Sequence, residues 1–210
     1  KKLRTKGFLM KKIVISTVLA ASLTSVAFAQ NSGNFVGVNL GLPITAPTYG
    51  GALANMKNTF PSTGIGWAIG VDLGYRQAMS ENWGLRYYIS YHYNQSYGDK
   101  SSAGTKVKAD ISQQLVAANV DFFYDFTQSF GAYLGLGIGY QSYAPNYTLT
   151  LGGADQKIGG ATKGGFALPL NLGVSYNIDD KHQILLGAKI PLVSYDYKAT
   201  FAGNQANVKL

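Results

Sequence analysis

The residues best suited to chemistry in this chain are six charges set into otherwise uncharged stretches: Asp72, Arg76, Arg86, Asp121, Asp125 and Lys189. Brought together in a narrow channel, they either line an ion path or neutralise one another and fill it. A charge taken out of water without a partner costs on the order of several kcal/mol, so mutual pairing is expected and the cluster reads as structural. A hydrolytic site would need a nucleophile, a base and an acid in contact. Ser90 and His92 share a parity, but Glu81, the only glutamate, falls in a turn at the far end of the same strand. Asp99, Asp110 and Asp196 approach His92 only if the fold returns them to it. His182 belongs to another turn, and two distant histidines without any cysteine make no metal set. Gly135, Gly137 and Gly139 recur at every second position, a strand pattern that lacks the spacing of a dinucleotide loop. No catalytic residue, metal or cofactor is expected.

The elements that must position these charges read as strands. Ile65, Trp67, Ile69, Val71, Leu73 and Tyr75 share one parity, and Gly66, Ala68, Gly70, Asp72, Gly74 and Arg76 the other. An alternation this long is a strand with one apolar face. The pattern recurs at 83–94, 116–126, 130–140, 166–176 and 184–190, and 35–42 supplies a first strand. The connections alternate in length: 77–82, 127–129 and 177–181 are short, whereas 43–63, 95–112 and 142–163 are long and polar. Short turns on one side and long loops on the other fit periplasmic and extracellular ends.

Aromatic residues cluster near the ends of the apolar faces. Tyr75, Trp83, Phe126, Phe130 and Tyr176 fall at the short-turn rim, and Trp67, Tyr91, Tyr93 and Tyr140 near the long-loop rim. Two such girdles around an aliphatic band suit a membrane barrel. A soluble ligand-binding barrel requires the reverse, with the large apolar residues inside. Here the second parity is mostly Gly, Ala, Ser and Asn. Inward glycines such as Gly70, Gly74, Gly135, Gly137, Gly139 and Gly173 leave room for the long charged side chains. Pairing Arg76 with Asn82 across the first short turn predicts Asp72 opposite Arg86 and Leu73 beside Leu85, with Asp121 and Asp125 near Arg86.

The formal charge of +8 does not point to nucleic acid, because it is unevenly spread. Lys1, Lys2, Arg4, Lys6, Lys11 and Lys12 precede every acidic residue, and from Gln30 onward twelve basic residues face ten acidic ones. The basic opening, the uncharged run 13–26 and the triplet Ala27-Phe28-Ala29 form a Sec signal peptide with cleavage before Gln30. Residues 1–29 are thus read as a leader, with Met10 as the true start, and residues 30–210 as one barrel domain. Later in the chain there is no apolar run long enough for a membrane-spanning helix.

The expected fold is an all-β, transmembrane, antiparallel up-and-down barrel of eight strands. Seven are complete in the sequence. The eighth is expected to be truncated, since Val208-Lys209-Leu210 lacks the aromatic ending of such barrels, whose strand number is even.

Trp83-Gly84-Leu85-Arg86-Tyr87-Tyr88, after a short turn and before a polar segment, resembles a segment of Helicobacter/Campylobacter-type outer-membrane proteins. Asn119-Val120-Asp121-Phe122-Phe123-Tyr124-Asp125-Phe126 is similar to that family's next strand. More loosely, the mature chain resembles the OmpA/OmpX-type eight-stranded superfamily. The resemblance implies an integral outer-membrane protein, some relatives being adhesins, and it carries over no catalytic residue. The expected surroundings are outer-membrane lipid and lipopolysaccharide, the assembly machinery, and a host or surface ligand reached through loops that carry Tyr49, Tyr97, Tyr143, Tyr147 and Tyr195. A structural or surface-interaction protein is the first functional expectation and a small porin the second.

Overall fold

The computed structural model describes residues 17–25, 32–51, 58–102, 104–159, 162–179, 181–193, 196–201 and 204–209. Every regular element among them is a strand: β1 (Thr17–Ser25), β2 (Gly33–Thr45), β3 (Thr48–Gly51), β4 (Gly64–Ala78), β5 (Trp83–Ser102), β6 (Thr105–Asp125) and β7 (Phe130–Leu151), followed by β8 (Ala154–Gly159), β9 (Lys163–Ala167), β10 (Pro169–Asn177), β11 (His182–Pro191), β12 (Asp196–Phe201) and β13 (Asn204–Lys209). No helix of the described residues is long and apolar enough to cross a membrane, which says nothing of strands.

Eight strands close into an antiparallel ring in the order β1-β2-β4-β5-β6-β7-β10-β11. One hydrogen-bonded row shows how it closes. From Gly33 on β2 it passes through Arg76, Arg86, Asp121, Gly135, Asn171, Lys189 and Val18, and it returns to β2 at Pro43, ten residues further along. A stagger of that size on eight strands tilts them by roughly 35–45° and leaves a lumen just wide enough for side chains.

Burial alternates with the pleat. Val36, Leu40, Ile69, Leu73, Ile89, Val120, Leu134, Ile138 and Val174 are exposed on the outside, while Asn39, Asp72, Arg86, Asn119, Asp121 and Asn171 are buried within. This is a barrel turned inside out relative to a soluble one, as a hydrocarbon surround demands. The outer aromatics pair in place: Trp67 with Tyr93 at 5.6 Å between ring centroids, Trp83 with Phe122 at 5.9 Å, and Phe130 with Tyr176 at 4.9 Å.

Two expectations are corrected. First, the register of β4 and β5 is displaced by four residues, so that Asp72 faces Ser90, Leu73 faces Ile89 and Arg76 faces Arg86. The turn decides this: the N–H groups of Met79 and Ser80 donate to the Trp83 carbonyl at 2.9 and 3.0 Å, which pulls Gln77 and Ala78 into the strand. An even displacement leaves every side chain on its original face.

Second, the long polar segments are largely strand. β5 and β6 run on together to Ser102 and Thr105, and β7 to Leu151, where it turns back into β8. Val107, Ala109 and Ile111 alternate inward against Lys106, Lys108 and Asp110 outside, so the polarity belongs to one face of a ribbon. Above the lumen Phe60 meets the edge of Tyr147 at 5.7 Å, and both are buried.

Thr17–Ser25, part of the uncharged run read above as a leader, pairs with both β2 and β11. Asn204–Lys209 folds back on β12 and pairs with β3 in a separate sheet.

Candidate functional site

The lumen holds all six charges singled out from the sequence. They arrive there by parity: each occupies an inward position of a strand whose other face is apolar. Arg76, Arg86, Asp121 and Lys189 stand on the same paired row, together with Asn171.

Arg86 donates from Nη2 to Asp121 Oδ2 at 3.0 Å, and this pair is sealed, with Asp121 only 1% exposed. Asp121 Oδ1 also accepts from Asn171 Nδ2 at 3.0 Å. The guanidinium of Arg86 lies 4.5 Å from the centroid of the Tyr133 ring, so its remaining surface is covered by an aromatic face. Arg76 repeats the scheme one layer nearer the short turns. Its Nη2 lies 2.7 Å from Asp125 Oδ2, and its guanidinium stacks 3.6 Å over Phe123. Two arginines are therefore cross-strand neighbours, each held by its own carboxylate and its own ring. The sequence expectation brought Asp121 and Asp125 together to Arg86; the structure gives Asp121 to Arg86 and Asp125 to Arg76.

Lys189 takes no carboxylate directly. Its ammonium donates to Asn171 Oδ1 at 2.6 Å and to Asn119 Oδ1 at 3.2 Å, and it lies 5.8 Å from the Tyr88 ring. Asn119 in turn donates to Ser90 Oγ at 2.9 Å. Asp72 sits nearest His92, with 3.6 Å between Oδ1 and Nε2. Three carboxylates, Asp72, Asp121 and Asp125, thus share the lumen with three bases, Arg76, Arg86 and Lys189.

Space is as tightly allotted as charge. A Cβ at Gly135 would strike Asp121 Oδ1, one at Gly137 would strike Asn119 Oδ1, and one at Gly187 would strike the Tyr133 hydroxyl. Among the described residues lie a cavity of about 40 Å³ between Asn39, Asp72, Arg86, His92, Asp121 and Lys189, and one of about 30 Å³ nearer the long-loop end between His92, Asn94, Gln113, Gln141 and Lys189. These hold a water molecule, not a solute. A hollow of about 970 Å³ is lined mainly by outward residues such as Val36, Leu73, Ile89 and Val120, and it belongs to the lipid face.

The hydrolytic arrangement is not assembled. Ser90 is fully buried and engaged by Asn119, His92 is walled in beside Asp72, and Glu81, Asp99 and Asp110 are exposed on other surfaces. The side chain of Asp196 lies outside the described residues. His182 stacks its polar contacts on Asp179 in the exposed turn, at 2.9 Å. That contact, with the N–H groups of Lys181 and His182, holds the Asp179 carboxyl below its ordinary value. Among the described residues no three His, Cys, Asp or Glu side chains gather as a metal site.

Sequence reasoning missed Asn119 and Asn171, which bridge the charges, and Phe123, Tyr133 and Tyr88, which cover them. The signal was there for the amides. Asn171 stands alone between Leu170 and Leu172, and Asn119 shares the parity of Asp121. The girdle residues named from the sequence, Trp67, Tyr75, Trp83, Tyr91, Tyr93, Phe126, Phe130, Tyr140 and Tyr176, stand on outward positions of their strands or the adjoining turn.

Residues 70–210 match the model of a protein family described as Helicobacter outer membrane protein. Among solved structures, the translocator domain of the autotransporter NalP from Neisseria meningitidis is similar over 95% of this chain and 87% of its own, at 10% identity and a TM-score of 0.31. Likeness at that score is too weak to bear on fold or function. No curated protein is significantly similar in sequence.

Proposed function

The chain belongs to the Helicobacter outer membrane protein family, and from that premise we propose that this outer-membrane β-barrel does its work outside the membrane: a plugged barrel presenting extracellular ribbons for surface contact, in adhesion or envelope integrity. The observation that carries the reading is the filled lumen. Arg76 and Arg86 are each paired with a carboxylate, Lys189 is held by two amides, and the cavities among these side chains, about 40 and 30 Å³, are no larger than water requires. Function then falls to the β5–β6 and β7–β8 ribbons, whose outward faces carry Tyr97, Lys106, Lys108 and Lys157. The expected partners are lipopolysaccharide and lipid around the band, the assembly machinery during insertion, and a host or surface ligand at the ribbons. Residues 1–29 act as a cleaved Sec leader in this reading, and no catalysis is assigned.

The rival is a small porin for solutes or hydrophobic compounds. Asn94, Gln113 and Gln141 favour it, since they line the outer lumen with polar groups. It requires the Arg86–Asp121 layer to open. Planar-bilayer recordings of the refolded chain separate the two. A silent barrel is expected, and steady openings that change in Asp72→Ala or Arg86→Ala would overturn the proposal. Shortening the β5–β6 ribbon should leave heat-modifiable gel mobility intact while reducing attachment of cells that display the protein. Unchanged attachment would remove adhesion from the reading.

A further inference from the structure

We propose that Lys189 and Asn171 join through an intramolecular isopeptide bond: the lysine amine displaces the side-chain amide nitrogen as ammonia, with the Asp121 carboxylate carrying the protons. The inference goes beyond the surface-contact reading and does not depend on it, because every group involved lies inside the lumen.

The two residues stand directly opposite each other on β11 and β10. Lys189 Nζ lies 2.6 Å from Asn171 Oδ1, so with a C=O bond of about 1.23 Å the nitrogen stands within about 3.8 Å of Cγ. Reacting atoms held this close behave as a highly concentrated pair. The amide is oriented from both ends. Its Oδ1 accepts from the ammonium, and its Nδ2 donates to Asp121 Oδ1 at 3.0 Å and to Asn119 Oδ1 at 3.1 Å. The leaving nitrogen therefore already touches the carboxylate, and Asp121 also faces the Lys189 ammonium. Asn119 is the other amide that Lys189 touches, at 3.2 Å. Its Nδ2 donates instead to the Ser90 hydroxyl and to the Tyr88 and Ala117 carbonyls, which bring no acid to a leaving group.

The step balances without a co-reactant. Asp121 takes a proton from Lys189 and leaves a neutral amine. Nζ adds to Cγ, and the carbonyl pair moves on to Oδ1. Asp121 gives its proton to Nδ2 and takes one from Nζ, and the carbonyl re-forms as the Cγ–Nδ2 bond breaks. Ammonia departs and carries off the last proton as ammonium, which restores the carboxylate. The cavity of about 40 Å³ is lined by Lys189, Asn171 and Asp121, and it admits a leaving molecule of water's size. Asn171 and Asp121 are buried, so bulk water does not compete at Cγ. The product has lost the Lys189 charge, and Asp72 is left with His92, 3.6 Å away, as its partner. A covalent tie then spans the β10–β11 hairpin from inside the barrel.

Intact mass of the refolded full chain tests the bond. The folded barrel should weigh one ammonia less than its sequence, whereas the same chain held unfolded in guanidinium should not. Trypsin cuts after Lys163, Lys181, Lys189 and Lys198 in this region. The cut after Lys189 should be lost, and 164–181 should be recovered joined to 182–198 through Asn171 and Lys189. Lys189→Arg, which keeps a cation, should show the full mass. The role of Asp121 is read in Arg86→Met with Asp121→Leu, where no charge is stranded and the barrel still shows heat-modifiable mobility; this variant should also keep the full mass. Full mass in the folded wild type, or an ammonia loss without the branched peptide, overturns the bond, as does the same loss in Lys189→Arg. Undiminished reaction in the double variant overturns the part given to Asp121.

Discussion

Removing Asp121 tests the lumen most directly. Its carboxylate is sealed from bulk solvent and accepts from Arg86 at 3.0 Å and from Asn171 at 3.0 Å. In Asp121→Ala the Arg86 guanidinium keeps its place against Tyr133 but loses its counter-charge. Breaking a buried pair from one side costs about 3–5 kcal/mol, mostly because the orphaned charge stays buried. Replacing both partners with apolar groups of similar size, Arg86→Met with Asp121→Leu, should recover most of that loss, because the desolvation cost goes with the charges. The assay is urea unfolding of the refolded barrel in detergent micelles, followed by the fluorescence of Trp67 and Trp83. With a slope of about 1–3 kcal/mol per molar urea, the single variant should shift the midpoint down by roughly 1–5 M. A loss below about 1 kcal/mol is what an exposed pair shows. That result, with no recovery in the double variant, would mean a hydrated lumen and refute the plug.

Gly135→Ala should destabilise by about 1–3 kcal/mol in the same assay, since its methyl would strike the Asp121 carboxylate and the Val120 carbonyl; a neutral result would mean the Asp121 layer is loosely packed. Val120→Arg, on an exposed outward position of β6, should cost about 2–4 kcal/mol in lipid vesicles if the apolar band lies in the membrane, whereas Tyr97→Arg on the outer ribbon should cost little. The turn at Asp179 should respond to acid. His182 and two backbone N–H groups depress its carboxyl, so these hydrogen bonds are intact above the ordinary carboxylate range and are lost as pH falls through the depressed value. Amide exchange at Lys181 and His182 should rise with that titration and become insensitive to it in Asp179→Asn.

Much of this barrel was legible in its residues because a strand's side chains alternate with a period of two. Ile65 through Tyr75 against Gly66 through Arg76 declares a strand, its lipid face and its lumen face at once, and Asp72, Arg76, Arg86, Asp121, Asp125 and Lys189 are inward for that reason alone. Parity does not name partners. Arg86 opposite Arg76 depends on where Met79 and Ser80 close their turn, and Asp121 opposite Arg86 on where β5 turns into β6 at Ser102 and Thr105; a slide of four residues changes every neighbour while moving no side chain to the other face. Polarity misled at 95–112, where the outward lysines of a ribbon look like loop until Val107, Ala109 and Ile111 are seen to alternate inward.

The sequence by itself determined the fold class, the strand faces, the aromatic girdles and the six charges of the lumen, since each follows from local alternation and from what hydrocarbon tolerates. Only the tertiary structure decided which carboxylate each arginine holds, how Asn119 and Asn171 bridge them, how little space remains, and that Thr17–Ser25 pairs with both β2 and β11. Those are matters of register and closure, set by turns and by the stagger around the whole ring, and no local pattern encodes them.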